Sequence, residues 1–262
     1  MTKARENSDY TGLQGDLALK SPVASPVFTG NVGIGVTPEA WHSGVTAIDV
    51  GTYGSIYEQD EFNITSNSYL NASSQETYKN TDEAVMYKQT ASGKHLFKVA
   101  PSGSADSAIN WTTAMIIDNA GIVTKPYQPY FAAVMNGNSQ YVSMSAGSAF
   151  PFNAIGRNEG SHFNTSNYRF TAPVDGNYSF SAGVITNSAT PLGRLQFYVN
   201  NTADYLGMKM GISGSSTNGG GATNTSAIIY LSANDFVDVR SQAGTVIGYQ
   251  QTHSSFTGVL VS

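Results

Sequence analysis

The chain has 262 residues, a net charge of -5, only 12% charged residues, 27 glycines and no cysteine, so neither a disulfide framework nor a thiolate metal site is available to it. With 13 Lys+Arg against 18 Asp+Glu and no basic cluster, it lacks the electrostatic footprint of a nucleic-acid binder. No apolar run approaches the roughly 18 residues of a membrane span, and residues 1–14 are too polar for a signal peptide, which predicts a chain that is neither inserted in a membrane nor processed.

Gly, Ser, Thr and Asn together make up about two-fifths of the residues, a composition that favours turns and short strands over helices. Disorder shares this bias, but 40% hydrophobic and 11% aromatic content supply burial capacity that disordered chains lack. The expected fold class is all-β. Charge divides the chain further: residues 1–30 are balanced, residues 127–262 are balanced, and residues 31–126 set ten acids against five lysines and so carry the whole excess. Three regions are expected: 1–30, an N-terminal linker; 31–126, a β-rich module; and 127–262, a sandwich.

In the first region, Ser21-Pro22-Val23-Ala24-Ser25-Pro26 holds two prolines without amide donors, each pushing its predecessor to extended geometry. This predicts a linker. The second region gives short runs at 45–50, 84–88, 95–100, 114–117 and 122–124, separated by turn clusters at 91–93, 101–103 and 118–121. A meander of short strands is predicted, too thin, with its long polar stretch Asn63 to Asn80, to enclose a dry core from one copy. Partner copies are expected to complete it.

The third region alternates more clearly, in Tyr168, Phe170 and Ala172, in Tyr178 and Phe180, in Leu195, Phe197 and Val199, and in Phe236 to Val239. Half-buried strands of a sandwich or jelly roll are predicted. Gly176 is expected to supply turn geometry, and Gly211 to Asn224 to be the longest loop.

Phe150-Pro151-Phe152-Asn153, Asn158-Glu159-Gly160, Phe163-Asn164 and the run from Tyr168 through Pro173-Val174-Asp175-Gly176-Asn177-Tyr178-Ser179-Phe180 stand in an order that resembles the globular head of complement component one, subunit q. The resemblance continues through Asn234-Asp235-Phe236-Val237-Asp238-Val239 and closes at Ser255-Phe256-Thr257-Gly258-Val259-Leu260. It implies the jelly roll shared with tumour necrosis factor, and a trimer. Two departures are the long loop at Gly211 to Asn224 and Asn167-Tyr168 in place of a usual Thr-Gly pair.

The earlier regions resemble bacteriophage fibres. Ala18 to Gly30 looks like a linker of tail-fibre chains, and Asn31 to Trp41 and Thr113 to Val123 look like the opening and close of a fibre module. Together the resemblances imply a homotrimeric fibre with a short-strand shaft module and a C-terminal complement/TNF-like jelly-roll head, a virion appendage made in the host cytoplasm. The first 30 residues would attach it to other virion proteins.

Motifs for catalysis are weak. Gly33-x-Gly35 has the start of a dinucleotide fingerprint, but Pro38 occupies the place of the third glycine and no helix pattern follows. His42, His95, His162 and His253 are far apart, and neither His-Glu-x-x-His nor Gly-x-Ser-x-Gly occurs. A non-enzyme is expected, with no catalytic and no metal residues assigned. Glu58, Asp60 and Glu61 are the acids to consider for a sugar-cleaving pair, or for calcium collected around a threefold axis, although a solvated acidic loop is the simpler reading.

The leading expectation is host attachment: three heads recognising a surface glycan or protein receptor, with avidity compensating for weak single sites. Aromatic faces and amides suit sugars, which nominates Asn218 and Asn224 in the loop Gly211 to Asn224, and Tyr249, Gln250 and Gln251 in the loop Ala243 to His253. The alternatives are a purely structural capsid fibre or connector, a polysaccharide depolymerase, and a secreted complement-like lectin.

Overall fold

The computed structural model describes residues 28–136, 141–186, 195–203, 210–211, 221–241, 246–249 and 253–262. Among these residues there are strands and turns and no helix, and the chain divides into two compact units, Met1–Thr124 and Lys125–Ser262. The all-β expectation holds.

Unit 1 contains β1 (Val32–Ile34), β2 (Thr46–Val50), β3 (Gly54–Glu58), β4 (Phe62–Ser66), β5 (Ser68–Leu70), β6 (Glu76–Tyr78), β7 (Asp82–Gln89), β8 (His95–Gly103), β9 (Thr112–Ile117) and β10 (Val123–Thr124). Eight of them form one sheet in the order β1-β2-β3-β4-β7-β8-β9-β10, antiparallel except for the parallel pair β1 and β2. The hairpin β5-β6 stands apart from it as a second sheet.

Side chains on a strand alternate between faces, and here one face is covered. Ala47, Tyr57 and Met86 on that face pack with Trp41, Tyr69 and Leu70, while Ala84 and Ala100 pack with Tyr78 and Ile109; Trp111 lies against both clusters. A single copy therefore encloses two small apolar clusters.

The polar stretch Asn63 to Asn80, read as too long for one copy to enclose a dry core, holds most of β4 and all of β5 and β6. Asn63, Thr65, Asn67 and Thr77 are buried there and donate from their side chains to backbone carbonyls, which is why hydropathy hides the strands. Asn67 takes a left-handed conformation (φ 63°), donates from Nδ2 to the carbonyls of Asn80 and Glu83, and accepts from the Asn80 amide. The turn expected at 101–103 is instead the end of β8. A bulge opposite Asp82/Ala84 accommodates Pro101 there, and the Pro101 carbonyl accepts from the Tyr78 hydroxyl at 2.5 Å.

Unit 2 contains β11 (Tyr130–Val134), β12 (Tyr141–Met144), β13 (Ala154–Glu159), β14 (Phe163–Asn164), β15 (Arg169–Thr171), β16 (Gly176–Thr186), β17 (Leu195–Val199), β18 (Thr202–Ala203), β19 (Met210–Gly211), β20 (Gly221–Leu231), β21 (Phe236–Ser241), β22 (Val246–Tyr249) and β23 (Ser255–Leu260). One sheet runs β12-β22-β16-β23-β11-β13 with β20 also on β16; the other runs β14-β15-β21-β17-β18 with β19 also on β17. Between them lies an aromatic core of Phe131, Phe152, Phe170, Tyr178, Phe180 and Phe256, with rings from both sheets 4.8–6.4 Å apart.

Several local expectations change here. Gly176 is required by crowding rather than by turn geometry: a Cβ there would lie 2.7 Å from Leu260 Cδ1 and 2.8 Å from the Ser262 carbonyl oxygen. Tyr168, read as the start of a strand, has φ 62° and belongs to the turn before β15. The loop expected from Gly211 to Asn224 ends earlier, because β20 begins at Gly221; Thr223 and Thr225 are buried opposite Val184 and Ala182, and β-branched residues suit that position. Likewise β22 occupies part of the expected loop Ala243 to His253, with Val246 and Ile247 in a ladder against β12.

Candidate functional site

The register of the head brings the two nominated segments to one place. Thr186, the last residue of β16, pairs with Gly221 at the start of β20 on one side and with Gly248 of β22 on the other. The segment carrying Asn218 enters the sheet at Gly221, and the segment carrying Gln250 and Gln251 leaves it after Tyr249. Asn218, Gln250 and Gln251 themselves lie outside the described residues. Tyr249 is on β22, paired with Tyr141, and Asn224 is on β20, paired with Gly183. Both are therefore strand residues, which corrects their placement in loops.

The chain enters the head at the other end of the same sheet. Tyr130 and Ser179 both pair with Val259, so entry is level with the start of β16. Seven residues of extended chain from Ser179 to Thr186 put about 23 Å between that level and the Thr186 end. Asn224 is exposed, with its Oδ1 lying where a Cβ on Gly183 would meet it at 2.5 Å. On the same exposed side of β20 follow Ser226, Ile228 and Tyr230, the last two 65% and 62% exposed.

The other sheet of the head carries a charged cluster that sequence reasoning did not nominate. Asp238 on β21 is wholly buried and accepts from Arg169 Nε at 3.1 Å, Arg240 Nε at 2.5 Å and Arg240 Nη2 at 2.7 Å. Asn201 Oδ1 accepts from both guanidiniums, at 2.7 and 2.6 Å, and the two arginines lie over the rings of Phe236 and Tyr198. The carboxylate raises the Arg240 pKa still further. The Asp238 carboxylate and Asn201 Oδ1 each bond both guanidiniums, so the arrangement braces the sheet.

The three acids nominated in unit 1 are divided by the fold. Asp60 and Glu61 line a cleft of about 480 Å³ with Tyr57, Asn63, Glu76 and Lys88, whereas Glu58 ends β3 opposite Thr46 and is exposed. Glu61 Oε2 accepts from Lys88 Nζ at 2.7 Å, and the Tyr57 hydroxyl donates to Glu76 Oε1. Burial pushes the Glu76 carboxyl up, against the lowering effect of Tyr57 and the nearby Lys88 and Lys98. Among the described residues no group of three or more His, Cys, Asp or Glu side chains is placed to hold a metal ion. The histidines stay separate: His95 Nδ1 bonds the Tyr87 hydroxyl at 2.6 Å, His42 Nδ1 accepts from the Gly44 amide, and His162 packs edge-on against Phe170.

The largest feature missed in the sequence is the uncovered face of the eight-stranded sheet. Ile48 pairs with Ile56, Ile56 with Ile64, Ile64 with Tyr87 and Tyr87 with Phe97, giving an unbroken row across β2, β3, β4, β7 and β8. Val50, Val85 and Val99 flank it, and these aliphatic side chains are exposed. The signal was the alternation itself: Ile48-Asp49-Val50 and Phe62-Asn63-Ile64-Thr65 alternate as a half-buried strand should, but the polar members are the ones turned inward.

Residues 131–261, half of the chain, match the C1q domain family. In structure, the head is similar to the globular domain of zebrafish complement 1qA protein, at 20% identity over 52% of this chain and 98% of that one, with a TM-score of 0.41. It is also similar to Eiger TNF from S. frugiperda, at 18% identity over 52% of this chain and 94% of that one, with a TM-score of 0.40. Murine APRIL aligns at 12% identity over 51% of this chain and 99% of that one, with a TM-score of 0.37. No curated protein matches the chain. Domains of the matched family are commonly trimeric and are generally binding modules, and no catalytic family is indicated. The chain belongs to the C1q domain family.

Proposed function

We propose that the chain is a homotrimeric virion fibre of a bacteriophage, anchored through its first 30 residues and displaying the C1q head for host-surface recognition. The observation that carries this reading is the polarity of the head. The chain enters at the Tyr130 end of the sheet, and both segments nominated for ligand contact join it about 23 Å away, beside Thr186. A module built to present its far end has that arrangement. Ile228 and Tyr230 are the apolar surface that a trimer of heads would cover. The fibre-like runs Ala18 to Gly30 and Thr113 to Val123 support the phage assignment, and surface glycans suit a polar, Asn- and Gln-rich end.

Adsorption tests the reading. The fluorescently labelled full chain is applied to bacterial cells and to an array of bacterial surface polysaccharides. A variant with residues 212–220 replaced by a Gly/Ser linker and with Gln250→Ala and Gln251→Ala is run beside it. Binding by the parent and its loss in a variant that remains a trimer are expected. A variant that is trimeric and binds as the parent does overturns the assignment of these segments.

A further inference from the structure

We infer that the uncovered face of the eight-stranded sheet in unit 1 is a seam between copies of this chain, three sheets turning the same face toward a shared axis. The inference rests on the trimeric reading above and adds to it a second, separate interface.

The amount of apolar surface is the first reason. Ile34, Ile48, Ile56, Ile64, Val50 and Val85 show between 36% and 56% of their surface, and Phe62, Phe97 and Val99 are exposed to a similar degree. Together they present on the order of 800 Å² of apolar area, above the 300–600 Å² of the largest patch on an ordinary monomer and equal to one partner's share of a standard interface. One contiguous face holds all of it, because the residues follow one another across neighbouring strands.

Charge is the second. Glu58 and Glu83 stand at strand ends on the margins of this face, and between them it carries no Lys, Arg, Asp or Glu. The sheet has its charges on the other side, where Asp49 and Lys79 are paired and buried. Such a face offers a charged partner nothing to pair with, and would leave any charge set against it desolvated and unpaired. Copies of the same face satisfy it, since the aliphatic side chains of three sheets set around an axis bury one another without stranding a charge.

Covalent linkage is the third. The matched family is commonly trimeric, and a trimer of heads holds three copies of unit 1 on short tethers, so that their association becomes effectively intramolecular. Three copies related by a closed rotation can each use the same face in heterologous contacts without leaving a free edge for further growth.

The absence of cysteine makes the test direct. Single cysteines are introduced into the full chain as Ile64→Cys in the centre of the face, Val85→Cys as an independent second site, and Ala72→Cys in the exposed β5-β6 turn as a control. Particle mass is measured by sedimentation, and maleimide labelling is followed without denaturant. The inference expects a trimer in which the thiols at positions 64 and 85 react at least about tenfold more slowly than the control, protection being set by how rarely the seam opens. A trimer in which all three thiols react alike overturns the seam and leaves the trimeric head standing. Single copies overturn both. Protection in a two-copy particle overturns the threefold arrangement, and protection that appears only when another component is added assigns the face to a different occupant and overturns the inference.

Discussion

Lys79 Nζ lies 2.6 Å from Asp49 Oδ1 on the covered side of the unit 1 sheet, with the two side chains only 2% and 1% exposed. Asp49 also accepts from Trp41 Nε1, the Ser55 hydroxyl and the Glu39 amide. The covered face thus holds a buried ion pair beside its apolar clusters, while an aliphatic row lies on the outside.

Removing one member of that pair leaves the other charged and out of water. Lys79→Met is expected to lower the stability of unit 1 by about 3–5 kcal/mol. Both tryptophans, Trp41 and Trp111, belong to unit 1, so tryptophan fluorescence during urea unfolding reads that unit by itself. A loss below about 1 kcal/mol, the range of exposed pairs, would show that the pair is solvated in solution.

The same site sets an acid limit. Burial raises the Asp49 carboxyl, but the bonds from Lys79, Trp41, Glu39 and Ser55 outweigh it and hold the group below its ordinary range. A carboxyl depressed by folding contributes stability above the unfolded pKa of about 4 and loses it as pH falls through the folded value. Unit 1 should therefore weaken below about pH 4, and Asp49→Asn should flatten that slope. An unchanged slope would assign the acid limit to other groups.

Glu76 works in the opposite direction. Burial lifts its carboxyl, so the unfolded chain ionises first as pH rises and the folded state is penalised above about pH 4.3. Gln at this position keeps an oxygen for the Tyr57 hydroxyl. The stability of Glu76→Gln relative to the parent should rise from about pH 4.3 until the folded carboxyl has ionised, and then level off. A pH-independent difference would contradict the burial account.

In the head, Gly258 lies under two rings. A Cβ there would stand 2.5 Å from Phe131 Cε1 and 2.6 Å from Phe180 Cδ1, inside the closest packed part of the core. Gly258→Ala should cost the head about 1–3 kcal/mol through overpacking, read by near-ultraviolet circular dichroism, and leave the tryptophan signal of unit 1 in place. A head of unchanged stability would show that the rings move aside.

How much of this was legible follows from where the polar side chains point. In the head, Tyr178 and Phe180 alternate with polar neighbours and are buried as alternation says, so the sandwich and its core could be read directly. In unit 1 the alternation is present, but in β2, β3 and β4 polar members turn inward: Asp49, Ser55, Asn63 and Thr65 are inside, beside Ala47 and Tyr57. Hydropathy alone reads that side as solvent, which hid the strands between Asn63 and Asn80 and the outward row through Ile56 and Ile64. Asn224 and Tyr249 read as loop residues because glycine and threonine mask the ends of β20 and β22. Register, which no single stretch of sequence carries, is what brings Gly221 and Gly248 to the two sides of Thr186.

Sedimentation equilibrium of the unmodified full chain at micromolar concentration distinguishes three assembled copies from one. A chain that assembles through both head and seam gives a single folded species of three times 27.7 kDa, about 83 kDa, with no population of folded single copies. A folded, soluble particle of 27.7 kDa with the aliphatic face open to water would rule out threefold assembly.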